Sequence, residues 1–191
     1  MHTFKEHGFE KVEGYIPLSF STFLKNYFAV RVENDPSLVG DAQAPNSNCV
    51  YGDAAFDVVM AMSTEDIGRI VGKKLIPQYS YARIYKKGSV LPSHTDRREC
   101  QYSVTLCLGG EYEKDWPIVI NDYSGKSHEI ALNEGDMLVY SGCELYHWRD
   151  EFKGDKQYQL FMHYVDAHGE FGGRVFDGRD TLGSPWVGVE K

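Results

Sequence analysis

After Pro77 the chain becomes a succession of short β-rich runs: SYARIYKK, QYSVTLCL, WPIVIND, SHEIAL, DMLVYSG, ELYHWR and QYQLFMHYV. Turn signals separate them at Lys87-Gly88, Gly109-Gly110, Ser124-Gly125 and Glu134-Gly135-Asp136. Seven or eight short strands with no helical pattern between them point to a barrel or a double-sheet jelly roll. The expected class is therefore mainly β with flanking helices.

The stretch before Pro77 supplies those helices. Residues 16–30 carry Phe20, Phe23, Leu24, Tyr27 and Phe28 on a roughly helical spacing, with Ser19 or Ser21 placed to cap. Residues 33–50 are rich in Asn, Asp, Pro and Ser and read as a loop. A second helix is expected from Asp53 to Met62. A third is expected to restart at Ser63 as N-cap and run to about Leu75, with Ile67, Ile70 and Val71 as its buried stripe. The Gly-rich tail from about residue 167 reads as irregular. With 191 residues, the chain is expected to form a single domain over 1–191: helical support to about 76, a jelly-roll core over about 77–166 and the tail over 167–191.

The net charge of −8 argues against a protein that grips nucleic acid chiefly through phosphates, which needs a basic face. Cys49, Cys100, Cys107 and Cys143 show neither a Cys-x-x-Cys pair nor a dense disulfide spacing, so reduced thiols are expected. MHTFKEHGFEKVEGY is polar throughout, unlike a signal peptide, and no run approaches bilayer length. The expectation is a soluble, cytoplasmic protein.

Within SHTDRRECQYSVTLCLGG, His94 and Asp96 stand two apart, so an extended chain presents an imidazole and a carboxylate to one face. The spacing alone is weak: with seven His and 28 acidic residues, a His followed two later by an acid arises about once by chance. A second instance, His168-Gly169-Glu170, lies in the tail with no later His to complete a set. His147, in GCELYHWRD, lies on the late strands, where facing sheets of a jelly roll bring distant segments together. His94, Asp96 and His147 then form a two-histidine, one-carboxylate set of the kind that holds Fe(II) with open positions.

Three segments, SYARIYKKGSVLPSHTD, GDMLVYSGCELYHW and KQYQLFMHYV, resemble the Fe(II)- and 2-oxoglutarate-dependent dioxygenases, in particular the prolyl 4-hydroxylase-like branch. The resemblance covers about residues 78–166. It implies a double-stranded β-helix core, His94, Asp96 and His147 as iron ligands, and Tyr85 as a hydrogen-bond partner of the cosubstrate. It also implies hydroxylation of an unactivated C–H, of a prolyl or other amino-acid residue, with 2-oxoglutarate and O2 consumed, succinate and CO2 released, and ascorbate as a reductant.

The family places an Arg or Lys on the strand after the distal His to pair with the far carboxylate of 2-oxoglutarate. Lys156 is ranked first here and Arg83, which shares Tyr85's face, second. If Lys156 points outward, with Gln157, Gln159 and His163 inward, Arg83 or Arg149 must neutralise that carboxylate, because a buried unpaired charge is costly. Arg97 and Arg98 are by default solvated or ion-paired, with an anionic substrate as the alternative. His163 is left unassigned.

Two other functions compete. A nucleic-acid demethylase of the alkylation-repair type shares the strand Tyr and the His-x-Asp pair, but its late arginines find only Arg174 and Arg179 here, in the tail. A cupin-like small-molecule binding module is expected to show a His-x-His pair with a following Glu, which this chain lacks. A small-molecule or peptide substrate, without nucleic acid or membrane, is the expected partner.

Overall fold

The computed structural model describes residues 3–180 and 182. A one-turn helix α1 (Phe4–His7) leads into strand β1 (Phe9–Val12), helix α2 (Leu18–Asn34), strand β2 (Ser47–Tyr51) and helix α3 (Ala54–Val71). The β-rich part holds β3 (Leu75–Lys86), β4 (Leu91–His94), β5 (Tyr102–Glu111), β6 (Ile118–Asn121), β7 (Ser127–Ile130), β8 (Met137–Tyr140), β9 (His147–Arg149) and β10 (Lys156–Asp166). The tail contributes a tight turn at Val175–Gly178, with Phe176 and Asp177 in the left-handed region.

These strands form two antiparallel sheets, one in the order β1-β8-β5-β10-β3-β2 and one in the order β4-β9-β6-β7. Alternation along the long strands decides what each face of the larger sheet meets. Ala82 and Ile84, Val104, Leu106 and Leu108, and Tyr158, Leu160, Met162 and Tyr164 share one core with Leu24, Phe28, Phe56, Met60 and Ile67 of α2 and α3. The opposite parity, Arg83 and Tyr85, Ser103 and Thr105, and Gln157, Gln159 and His163, is buried too, yet polar. A buried polar row must find partners, and it defines the interior between the sheets.

The helices differ from the sequence reading in two places. Residues 54–71 form one helix, capped by the Asp53 carboxylate, which accepts from the Ala55 N–H, and ended by Gly72 at φ +72°. Ser63 caps nothing: it is buried in mid-helix and its hydroxyl donates to the Val59 carbonyl, so the helix runs through it. Leu75 starts β3 instead of ending the helix. In α2, Pro17 occupies the N-cap, neither Ser19 nor Ser21 caps, and Phe20 and Phe23 lie exposed beside buried Leu24 and Phe28.

Three strands were hidden from periodicity. β1 lies in the polar N-terminal stretch and is held by β8. β2 falls inside the expected loop, because pairing with β3 from Ser47↔Tyr85 to Tyr51↔Tyr81 overrides a turn-rich composition. β4, LPSH, lacks β-rich composition and is held by β9. No helix among the described residues is long and apolar enough to cross a membrane.

Candidate metal centre

His94 and His147 meet as direct cross-strand partners of β4 and β9. The sequence reading expected facing sheets to join them; pairing within the smaller sheet does so instead, with ring centroids 4.3 Å apart. Asp96 lies just past the end of β4, and its N–H donates to the Gly142 carbonyl at 2.8 Å. That clamp, rather than strand alternation, brings its carboxylate back to the histidines. Asp96 Oδ1 lies 3.6 Å from His94 Nε2 and 3.5 Å from His147 Nε2.

The backbone fixes both rings. His94 Nδ1 lies 2.8 Å from the Pro92 carbonyl and His147 Nδ1 2.9 Å from the Leu145 carbonyl, so Nδ1–H is the donor and Nε2 is the nitrogen that faces Asp96, free to give up its proton for a metal. Metal ligation requires this tautomer. Burial opposes ionisation of Asp96, but the imidazoles of His147 and His94 outweigh it and hold the carboxylate well below its ordinary range. Burial likewise opposes a charged His94, and the Asp96 interaction more than offsets it, raising the imidazole pKa.

A second layer holds the carboxylate. The Ser103 hydroxyl donates to Asp96 Oδ2 at 2.6 Å, so its oxygen accepts from His163 Nδ1, 3.0 Å away. His163 is neutral, its pKa pushed down to about 4 chiefly by burial, and its Nε2 remains an acceptor. Gly142 is obligatory in this packing: a Cβ there would collide with Asp96 Oδ2 and Ser103 Oγ. Sequence reasoning missed both Ser103 and Gly142. Ser103's only signal was its inward parity beside Thr105 and Cys107.

The three ligand atoms open onto a cavity of about 300 Å³ whose walls include Tyr79, Tyr81, Arg83, Tyr85, Phe161 and His163. Lys156 is not brought there: its side chain is half exposed, with Glu111 as its nearest acid at 3.9 Å. Of the predicted cosubstrate residues, Tyr85 and Arg83 line the cavity, and Arg83 donates to the Tyr85 hydroxyl at 3.3 Å. Arg83 pairs with Asp41 and reaches Gln43 and the Tyr81 hydroxyl through its terminal nitrogens, leaving only Nε without a partner.

Arg149 is the opposite case. It is 1% exposed, faces Leu91 across β4 and β9, and lies over the Trp116 ring. Nη1 donates to the Trp116 carbonyl, while Nε and Nη2 are buried without a partner, as is Gln159 Nε2 on β10. Among the described residues no carboxylate pairs with it. Burial pulls its pKa down, and the groups that act to raise it again include Tyr85 and Tyr140, both on the cavity wall.

Arg97 and Arg98 are ion-paired: Arg97 Nη2 lies 2.8 Å from Asp177 and Arg98 reaches Glu170. Arg179 is buried against Asp57 at 2.7 Å and belongs to the core. Arg174 is exposed. Among the described residues His168 joins no cluster that could hold a metal, and neither do the cysteines.

No family model and no curated protein matches this chain in sequence. Solved structures do match in fold. A Pseudomonas putida prolyl-4-hydroxylase superposes with a TM-score of 0.70 at 14% identity, covering 86% of this chain and 95% of that one. The fold is that of the 2-oxoglutarate/Fe(II) oxygenases. The non-heme alpha-ketoglutarate-dependent carbocyclase SnoK from nogalamycin biosynthesis gives 0.71 at 12% identity over 97% of this chain and 91% of its own. HygX from Streptomyces hygroscopicus, solved with nickel and 2-oxoglutarate bound, gives 0.65 at 14% over 86% and 85%.

Proposed function

We propose that this protein is an Fe(II)- and 2-oxoglutarate-dependent hydroxylase, with His94, Asp96 and His147 as the metal ligands. The observation that carries this reading is the pairing of two imidazoles, each with Nε2 freed by a backbone carbonyl, against one buried carboxylate. Two imidazoles and a carboxylate suit ferrous iron and leave positions open. Arg149 holds the far carboxylate of 2-oxoglutarate, with Gln159 Nε2 as a second donor: Arg149 keeps both Nε and Nη2 buried without partners, whereas Arg83 keeps only Nε. Lys156 and Arg83, ranked first from sequence, fit less well: one is half exposed and the other already paired.

When bound, iron with 2-oxoglutarate and O2 supplies the oxidising chemistry, splitting the cosubstrate into succinate and CO2 and hydroxylating an unactivated C–H. The chain's own residues do the rest. Ser103 occupies Asp96 Oδ2, which leaves Oδ1 toward the histidines and the metal position. Buried Leu91, Ile118 and Tyr140 keep that side of the cavity dry. Tyr79, Tyr81 and Phe161 form an aromatic wall suited to a compact apolar group such as a prolyl ring, and the acceptor on His163 takes a donor from the substrate backbone. Four unpaired cysteines fit a reducing, cytoplasmic compartment. Nucleic acid as substrate is disfavoured by the charge of −8 and by the structural role of Arg179.

The test is succinate release from the Fe(II)-loaded protein with 2-oxoglutarate, O2 and ascorbate. Turnover should vanish in His94→Ala and Asp96→Ala; turnover that persists in both, or none in the wild type, would refute the reading.

A further inference from the structure

A second set of metal-ligating side chains lies outside the cavity. Among the described residues His7, Asp122 and His128 each place a ligand atom within 4.8 Å of the other two, as the proposed iron ligands do. No step of the proposed reaction uses them. His7 ends α1, Asp122 directly follows β6, and His128 is the second residue of β7.

Local structure explains why Asp122 is aimed. Its Oδ1 accepts from Ser124 N–H at 2.9 Å, the Ser124 hydroxyl at 2.6 Å and Lys126 N–H at 3.0 Å, which fastens the carboxylate to the turn joining β6 and β7. Oδ2 is left for the imidazoles, with His128 Nε2 at 2.8 Å and His7 Nδ1 at 3.6 Å. Phe9 steadies both rings, with centroids 5.8 Å from His7 and 5.2 Å from His128. Asp122 is nearly buried, while the two rings remain partly open to solvent, so a cation has access.

A hydrogen-bonded Asp122–His128 pair accounts for only part of this. His7 Nδ1 is beyond hydrogen-bond reach of Oδ2, yet it is turned toward the same oxygen. Zinc bonds of about 2.0–2.2 Å in a tetrahedron set ligand atoms roughly 3.3–3.6 Å apart. The His7 separation already matches, and the His128 contact opens by a fraction of an ångström once its proton leaves. Imidazole donors favour zinc-like cations over magnesium or calcium, and the net charge of −8 favours any cation.

We propose that His7, Asp122 and His128 form a second divalent-metal site, of the zinc class, with solvent completing the coordination. The site ties the N-terminal arm, which enters the larger sheet through β1, to the β6–β7 hairpin of the smaller one. Its role is structural. It also lies at the end of β6, the strand whose Ile120 pairs with His147.

The experiment uses full-length protein stripped with a chelator and dialysed against zinc, with metal content read by mass spectrometry and thermal stability read in parallel. His94→Ala/Asp96→Ala removes the proposed iron centre, so the outcome is independent of that reading. This protein should retain one zinc per chain and melt higher with zinc than without. Adding His7→Ala, which leaves the Asp122 turn untouched, should weaken zinc binding by roughly 10–100-fold or more and abolish the thermal gain. His128→Ala should do the same, and magnesium should not compete. Circular dichroism in chelator should be unchanged throughout, which separates loss of a ligand from loss of the fold. No zinc on the double variant, or zinc held equally well after His7→Ala and His128→Ala, would overturn the proposal.

Discussion

Replacing Arg149 with methionine should separate cosubstrate binding from stability. In the protein without 2-oxoglutarate this guanidinium is 1% exposed, matched by no carboxylate among the described residues, and satisfied only through Nη1 on the Trp116 carbonyl. Taking an ion out of water costs several kcal/mol, and replacing buried ions with apolar groups of similar volume is neutral or stabilising by about 1–4 kcal/mol. The Trp116 carbonyl loses a donor, a cost of about 1 kcal/mol. Arg149→Met should therefore melt at or above the wild-type temperature when no 2-oxoglutarate is present. With the cosubstrate the sign reverses, because truncating one partner of a buried, hydrogen-bonded charge pair costs about 2–5 kcal/mol. The lower figure already raises the KM for 2-oxoglutarate roughly thirtyfold. Succinate release at varied 2-oxoglutarate, together with thermal melts with and without 2-oxoglutarate and Mn(II), reads both effects. A KM within about threefold of wild type would place the far carboxylate elsewhere, on Arg83 first. A lower melting temperature without ligand would make Arg149 a structural residue.

Ser103→Ala removes the donor to Asp96 Oδ2 and should weaken Fe(II) binding by roughly 10–100-fold, measured by competition with a coloured chelator, with the melting temperature little changed. Arg179→Ala strands the Asp57 carboxylate in the core and should cost about 3–5 kcal/mol in urea unfolding. The folded pKa of Asp136 is lowered below 3.8: burial opposes this, but hydrogen bonds from Gly14 N–H, Asn133 N–H and Lys11 prevail. A depressed carboxylate contributes its stability above the ordinary pKa and loses it as pH falls through the folded value, so Asp136→Asn should flatten the decline in urea midpoint below about pH 5.

Much of this was legible because strand alternation holds along most of each strand, with register shifts in the β10 pairings at Tyr158/Gln159 and His163/Tyr164. The β-rich runs after Pro77 and the turns at Lys87-Gly88, Ser124-Gly125 and Glu134-Gly135-Asp136 have their counterparts in the structure, and the buried Gln157, Gln159 and His163 match the alternative to an inward Lys156. Gly109-Gly110, expected as a turn, lies instead inside β5, paired with Tyr158 and Gln157 of β10. β2 and β4 were illegible because their pairing energy comes from neighbours far along the chain. Ser63 misled because a serine inside a helix can bond back to the preceding turn and so need not mark a start. At the candidate site, the His94, Asp96 and His147 set could be read from residue type and order, but the far-carboxylate anchor could not. Its choice rests on how many buried donors each guanidinium leaves without a partner, two on Arg149 against one on Arg83. Lys156, first by position on the strand, points to solvent, whereas Arg149, two residues past His147, carries unpaired nitrogens. Ser103 and Gly142 were invisible for the same reason: their importance is a contact with Asp96 made only on folding.

The most direct test is a crystal structure of the protein with Mn(II) and 2-oxoglutarate. The expected result is manganese bound by His94 Nε2, Asp96 Oδ1 and His147 Nε2, with the far carboxylate within hydrogen-bond distance of Arg149. Metal absent from those three residues, or a carboxylate seated on Arg83 or Lys156 with Arg149 unengaged, would contradict it.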